Sequence, residues 1–190
     1  MDIKKGLTYV AYGFLFTLIN INLNFNGTSI NIIPDFVGWI LFFLAYDKLG
    51  TYTNDKSFLK WGFLIMAVYT GVTWILGFTS PEMNLGIINT VFGVLSTVLM
   101  FILFGSLEMV AHDYDPAREQ TIYMLKMLNL VLGIVFVVFG LIMAGTQSNI
   151  MGVLTILIGV ALLVLAIYTA FVLFKLRNAV QARSDSQDSI

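Results

Sequence analysis

Six long apolar stretches follow one another along the chain, separated by short polar breaks. A helix needs about 20 residues to cross a hydrocarbon layer of about 30 Å, and each stretch has roughly that length. Only 11% of the residues are charged and the mean hydropathy is +0.89, so the sequence predicts an all-α, polytopic transmembrane helical bundle. The stretches are Gly6–Leu23, Ile33–Leu49, Phe58–Phe78, Leu85–Leu107, Ile122–Ala144 and Ile150–Phe174.

The basic residues predict how these stretches are oriented. Short cytoplasmic loops are enriched in Lys and Arg. All 10 basic residues of this chain lie before the first stretch, in or beside the second and fourth breaks, or after the last stretch. The sequence therefore predicts six spans with both termini in the cytoplasm, in a multi-pass protein of the cell membrane. The transmembrane domain covers residues 1–174, and residues 175–190 form a polar tail that we expect to be disordered.

Composition also excludes several classes of function. The chain has no cysteine, which excludes disulfides, thiolate metal sites and cysteine nucleophiles. It has no long basic block, so nucleic acid is not an expected partner. Nucleophile elbows, phosphate-binding Gly-rich loops and paired-histidine motifs are missing, so we predict no cofactor and do not expect an enzyme. The expected partners are the lipid bilayer and either another membrane protein or a second copy of this chain.

The first polar break reaches deeper than the others. If Asp47 marks the inner boundary of the second span, Asp35 lies only about 18 Å above it at a rise of 1.5 Å per residue. By the same rise, Asn20 and Asn22 lie about 22 to 26 Å above Lys5. These three polar residues, with Asn24, Asn26 and Asn31, are therefore expected at one depth below the outer surface.

Polar groups at membrane depth are tolerated where protein covers them or water reaches them. The sequence thus predicts an outward-facing polar recess between the first two helices. Asp35 has two interpretations. It can cap a short second helix beside Pro34, or it can hold a small cation or polar solute together with Asn20 and Asn22.

A second candidate site lies in the fourth break. Glu108 and His112 are spaced four residues apart, so a continued helix would place them on one face. Asp113 and Asp115 could add oxygen ligands for a divalent metal ion. His112 is the only histidine of the chain, so a solvated acidic loop is the alternative interpretation. Lys126, one turn inside the fifth span, is expected to extend its ammonium group back to the headgroups.

Small residues recur at seven-residue spacing in several spans, which favours close helix packing in lipid. Examples are Gly6 and Gly13 in the first span, and Gly159 and Ala166 in the last. We expect such a packing stripe above all in the last two spans.

The segment from Asn31 to Leu41, with Pro34, Asp35, Gly38 and Trp39, resembles a pattern in small uncharacterised multi-span membrane proteins of Gram-positive bacteria. The resemblance covers the first quarter of the chain and implies a bacterial plasma membrane. By size and span count, the chain is also similar to the substrate-binding components of energy-coupling-factor vitamin transporters. Of the small-residue motif of their first span, only Ala11 and Gly13 are present here.

Three functional hypotheses follow from these features. The first is small-solute or ion binding and transport through the recess at Asn20, Asn22 and Asp35. The second is a non-catalytic accessory, immunity or signalling subunit of a larger membrane complex. The third is a membrane enzyme that uses His112 and a metal ion, and it has the least support.

Overall fold

The computed structural model of the chain describes residues 2–18, 22–25, 28–31, 34–53, 57–79, 86–143 and 149–187. Two short strands, β1 (Asn22–Phe25) and β2 (Thr28–Asn31), pair antiparallel between the first two helices. A short 3₁₀ turn, Gly50–Tyr52, follows the second helix. The helices are α1 (Ile3–Leu18), α2 (Asp35–Leu49), α3 (Ser57–Thr79), α4 (Gly86–Tyr114), α5 (Pro116–Met143) and α6 (Asn149–Gln187).

The all-helical architecture is confirmed for the six helices that the structure describes, and four of them indicate a membrane protein. These four are long and apolar enough to cross a bilayer, over Ser57–Phe78, Ile87–Tyr114, Pro116–Val138 and Leu157–Asp185. The 16 residues of α1 and 15 residues of α2 correspond to about 24 and 22 Å, shorter than a hydrocarbon core of about 30 Å.

The first two apolar stretches are shorter as helices than the sequence predicts. The first ends as a helix at Leu18 rather than Leu23, and the second begins at Asp35 rather than Ile33. Residues 22–25 and 28–31 form the strand pair instead. Asparagine disfavours a helix interior because its side chain competes for backbone hydrogen bonds. Strand pairing gives the backbone N–H and C=O groups of these residues hydrogen-bond partners, which they would lack in an irregular loop.

The fourth break, predicted over Glu108–Thr121, is almost entirely helical. α4 continues to Tyr114, and α5 starts at Pro116, so only Asp115 separates them. Proline suits the first position of a helix because its missing N–H would be unpaired there anyway. The backbone N–H of Arg118 donates to the carbonyl of Asp115 at 2.9 Å, which closes the first turn of α5.

The polar tail also departs from the sequence prediction of disorder over residues 175–190. α6 continues as a helix to Gln187. Leu173, Leu176 and Val180 are buried, at helical spacing, so this face packs on the bundle and keeps the extension helical. Residues 188–190 lie outside the described part of the chain.

Ends of all six described helices meet at one end of the bundle, here called the charged end. Asp2, before α1, pairs with Lys48 of α2 at 3.7 Å, and Asp47 of α2 pairs with Lys60 of α3 at 2.8 Å. His112 of α4 pairs with Glu119 of α5 at 2.9 Å. Arg183 of α6 donates to the carbonyl oxygen of Asp113 in α4. The basic residues therefore gather at this end, as their distribution in the sequence predicts.

α1 and α2 approach each other most closely at glycines. A Cβ atom at Gly13 would lie 2.5 Å from Cε1 of Phe42, and one at Gly38 would lie 2.5 Å from Cγ2 of Thr17 and 2.7 Å from the carbonyl oxygen of Gly13. Little hydrophobic force acts between helices in lipid, so such backbone contact supplies packing energy. The close packing predicted from small residues is thus found in the first two helices.

An aromatic cluster lies directly against this contact. Ring centroids are separated by 5.2 to 6.2 Å between neighbours in the cluster. Such edge-to-face and tilted ring pairs contribute about 0.5–1.5 kcal/mol each beyond their buried area. The cluster links α1 through α4 and consists of Phe14, Trp39, Phe42, Phe63 and Phe104.

The stripe expected in the last two helices is found only in part among the described residues of α6, where Ala166 is fully buried. A Cβ atom at Gly159 would have nothing within 4 Å. Gly133 of α5 packs against Thr97 of α4 rather than against α6, since a Cβ atom at Gly133 would lie 2.6 Å from Oγ1 of Thr97. Close packing is therefore found at Gly133 and not at Gly159. Seven-residue spacing identifies a face but not its neighbour.

The glycine contact predicts a difference between two Gly→Ala variants. Gly38→Ala should destabilise the protein by about 1–3 kcal/mol, because the added methyl group meets backbone that cannot move aside. Gly159→Ala, the matched control, should leave stability unchanged or raise it by up to about 1 kcal/mol. Thermal unfolding in one detergent measures both, and equal midpoints for the two variants would contradict the close contact.

Candidate functional site

The first site predicted from the sequence lies where α1 and α2 end away from the charged end. Asn20 is outside the described residues. Asn22 begins β1, and its side chain is not described. Asp35 is the first residue of α2, follows the N-cap residue Pro34, and is half-buried. A carboxylate in the first turn opposes the positive end of the helix dipole. The structure thus places Asp35 but does not test its grouping with Asn20 and Asn22.

The depth of Asp35 follows from its neighbours. Because Asp47 pairs with Lys60, α2 and α3 are aligned at the charged end. Asp35 lies about 18 Å along α2 from Asp47, and Val72 lies about 18 Å along α3 from Lys60. Phe36 confirms this level, since its ring is 5.8 Å from that of Trp74 in α3. α3 continues about 10 Å beyond Val72, so Asp35 lies below the end of α3.

The strand pair adds polar positions next to Asp35. Its register places Asn22 opposite Asn31 and Asn24 opposite Ser29. Leu23 is opposite Ile30. β2 also contacts α3.

A second site, here called the charged-end pocket, lies between α4, α5 and the 3₁₀ turn. Its volume is about 430 Å³. Gly105 and Met109 are its uncharged α4 residues, and a Cβ atom at Gly105 would have nothing within 4 Å. The spacing of its α4 residues is that of one helical stripe. Its other lining residues are Tyr52, Glu108, His112, Asp113, Glu119 and Lys126.

Ion pairs across α4 and α5 form two sides of this pocket. Lys126 Nζ donates to Glu108 Oε2 at 2.6 Å, and the Lys126 side chain is only 13% exposed. Lys126 also lies over the rings of Phe101 and Tyr123. A carboxylate on the neighbouring helix thus satisfies the ammonium group. Its expected extension to the headgroups stays a prediction.

Tyr52 forms the third side and is held by the end of α2. Gly50 has a φ of 58°, a conformation that favours glycine, and it turns the chain out of the helix. Thr53 Oγ1 then donates to the carbonyl oxygen of Tyr46 at 2.8 Å. Tyr52 Oη donates to Asp113 Oδ2 at 2.6 Å. Burial, and then this hydrogen bond, raise the pKa of Tyr52, so its hydroxyl stays a donor.

The metal site predicted from Glu108, His112, Asp113 and Asp115 is not supported in the residues that the structure describes. No group of three or more His, Asp or Glu side chains there could hold a metal ion. The first three line the charged-end pocket, but each faces a different protein partner. Asp115 does not line the pocket and pairs instead with Arg118, at 2.9 Å within α5's first turn.

Sequence reasoning missed Tyr52, Glu119 and Lys126 as members of this site. A signal for two of them was present in the chain. Glu119 follows His112 by 7 residues and Lys126 follows Glu108 by 18, so both pairs straddle the turn at Asp115. Two antiparallel helices bring such residues opposite each other. Tyr52 carries no comparable signal, because its position depends on the tertiary contact between the 3₁₀ turn and α4.

The Glu108–Lys126 pair predicts an unequal response to two carboxylate variants. Glu108→Gln should cost about 1–3 kcal/mol of stability, because it leaves a largely buried ammonium group without its carboxylate. Asp47→Asn, which breaks the more exposed pair with Lys60, should cost about 1 kcal/mol or less. Thermal unfolding in detergent compares the two. The double variant Glu108→Gln/Lys126→Met should recover part of the loss, and an equal loss in both single variants would argue against the buried pair.

No protein-family model, curated protein or solved structure matches this chain significantly. Its function is therefore inferred from the positions and chemistry of its own residues.

Proposed function

We propose that this chain is a six-span protein of a bacterial plasma membrane that binds a small cation or polar solute in an outward-facing recess and carries it across the membrane. Both termini are cytoplasmic in this proposal. The recess lies where α1 and α2 meet the strand pair, and Asp35 is its central residue.

The orientation is supported by the charged end. Lys5, Lys48, Lys60 and Arg183 lie at this end of the bundle, in ion pairs or hydrogen bonds with Asp2, Asp47 and the Asp113 carbonyl. Basic residues beside membrane spans are retained on the cytoplasmic side. With the charged end inside, the outer ends of α1 and α2 face outward, and α1 and α2 complete the count of six.

The observation that carries the proposal is the depth of Asp35. This carboxylate lies level with Val72, in the outer half of α3. A carboxylate inside the membrane is costly, and such residues commonly mark paths for ions, protons or solutes. In this proposal, water reaches the level of Asp35 from outside.

The strand pair supports the same site. Non-helical backbone at membrane depth occurs where it is buried in protein or lines a water-filled cavity. The pair contains Asn22, Asn24, Ser29 and Asn31, residue types whose amide and hydroxyl oxygens bind cations and polar solutes. Asp35 would add the negative charge that selects a cation.

A second function is favoured by one observation on α6. Gly159 has open space where a side chain would point, and its neighbours Leu157 and Val160 are exposed. A glycine on an open helix face suits contact with another membrane helix. In this alternative, the chain is a non-catalytic accessory subunit, and α6 docks on its partner or on a second copy of the chain.

Single-cysteine labelling tests whether the recess is wet and which way it faces. The chain has no native cysteine, so each introduced thiol is unique. We expect a membrane-impermeant thiol reagent added outside intact cells to label Asp35→Cys. Val72→Cys is the matched control at the same depth, and it should stay unlabelled because its side chain faces lipid.

Thr51→Cys, in the exposed 3₁₀ turn, should be labelled only after the cells are permeabilised. Labelling of Thr51→Cys in intact cells would contradict the orientation. An unreactive Asp35→Cys in folded protein would contradict a water-filled recess.

Ligand-induced stabilisation tests the role of Asp35. Purified protein is scanned by thermal unfolding against Na⁺, K⁺, Mg²⁺, Ca²⁺ and a panel of amino acids. A ligand at 100 times its Kd should stabilise the wild type by about 2.7 kcal/mol. Asp35→Asn should abolish this effect and keep the ligand-free midpoint, whereas Asp47→Asn should retain the effect. If Asp35→Asn behaves as wild type and a stoichiometric membrane partner co-purifies, the accessory function replaces transport.

A further inference from the structure

Aromatic side chains lie between the start of α2 and the neighbouring part of α3. Phe36 follows Asp35 in α2, and its ring centroid lies 5.8 Å from that of Trp74 in α3. The Trp74 ring lies in turn 4.7 Å from that of Phe78. Both contacts are edge-to-face, with interplanar angles of 69° and 78°. These three residues, here called the α2–α3 aromatic group, begin next to Asp35 and continue along α3.

The α3 members of this group extend past the end of α2. Gly71, Trp74 and Phe78 are spaced three and four residues apart, so they share one face of α3. This face is turned toward α2, because a Cβ atom at Gly71 would lie 3.8 Å from Cβ of Phe36, and Trp74 contacts the same residue. Phe78 lies about 6 Å farther from the charged end than Trp74, whereas α2 begins at Asp35. Phe78 is 44% exposed, so ring surface remains uncovered there.

The charge beside these rings is a single carboxylate. α2 has no charged residue between Asp35 and Asp47, and α3 has none after Lys60. A divalent metal ion takes about six or more oxygen ligands, and no described group of three or more acidic or histidine side chains could hold one. A methylated ammonium ion needs one countercharge, and its methyl groups are apolar. Aromatic ring faces attract such cations, so one carboxylate beside several rings favours an organic cation over a metal ion.

We infer that the solute bound at Asp35 is a small quaternary ammonium ion, held between the Asp35 carboxylate and the rings of Trp74 and Phe78. The inference rests on the proposed function, because it names the class of solute for the same recess. It also assigns two aromatic residues of α3 to the binding site. The carboxylate supplies the countercharge, and the rings distinguish a methylated cation from a hydrated metal ion.

Calorimetric titration of the purified protein in a maltoside detergent tests the class of solute, with choline as the probe. We expect saturable binding of choline. Its uncharged isostere 3,3-dimethyl-1-butanol should bind at least about tenfold more weakly, since it has the same shape without the charge. Equal binding of the two compounds would overturn the inference. If Na⁺, Mg²⁺ or an amino acid binds through Asp35 and choline does not, the inference fails and the proposed function stands; if no cation or polar solute binds, both fail.

Ring-removing variants locate the binding site. Trp74→Leu should weaken choline binding about tenfold or more, whereas Trp74→Phe keeps a ring and should retain most of the affinity. Phe78→Leu, at an exposed position, gives a second variant if Trp74→Leu does not fold. Trp61→Leu is the matched control, because Trp61 lies near the charged end of the same helix and is 63% exposed. It should bind choline like the wild type. Unchanged affinity in folded Phe78→Leu and Trp74→Leu would place choline elsewhere and refute the assignment.

Discussion

At Gly13 and Gly38, the backbones of α1 and α2 touch, and the positions of the other helices follow from this contact. Phe42 lies over Gly13, so its ring meets Phe14 of α1 and Phe63 of α3. Phe14 in turn meets Phe104 of α4. In lipid, a larger residue at either glycine would be opposed by rigid backbone and not compensated by hydrophobic force. Van der Waals contact between four helices thus depends on the absence of a Cβ atom at these two glycines.

The alignment that this contact imposes accounts for both ends of the bundle. At the charged end, it brings Asp47 to Lys60 and directs the 3₁₀ turn toward α4, where Tyr52 reaches Asp113. At the other end, it leaves Asp35 level with Val72 of α3. One pair of short helices therefore positions Asp35 at one end of the bundle and supports the charged-end pocket at the other.

Apolar length predicted the helices well where a span has no polar interruption, because a backbone in lipid must pair its own hydrogen bonds. The third stretch, Phe58–Phe78, differs from α3 by one residue at each end. The same reasoning failed where residues have tertiary partners. Hydropathy contains no information on the pairing of Glu108 with Lys126, so the prediction ended the fourth helix too early. It also contains no information on the strand pairing that follows α1. The charged-end pocket thus required knowledge of which elements are neighbours.

The unequal lengths of the helices also affect the surrounding lipid. Tyr12 of α1 and Ile40 and Leu44 of α2 are exposed, so the short helices form part of the outer circumference of the bundle. In the proposed six-span arrangement, acyl chains beside them would meet helices of about 22 to 24 Å, whereas those beside α4 and α5 would meet helices that span the full layer. This hydrophobic mismatch on one side would thin the adjacent leaflet, at a free-energy cost of less than about 1 kcal/mol per Å. The protein is consequently expected to be sensitive to acyl-chain length, with shorter chains favoured along its α1–α2 side.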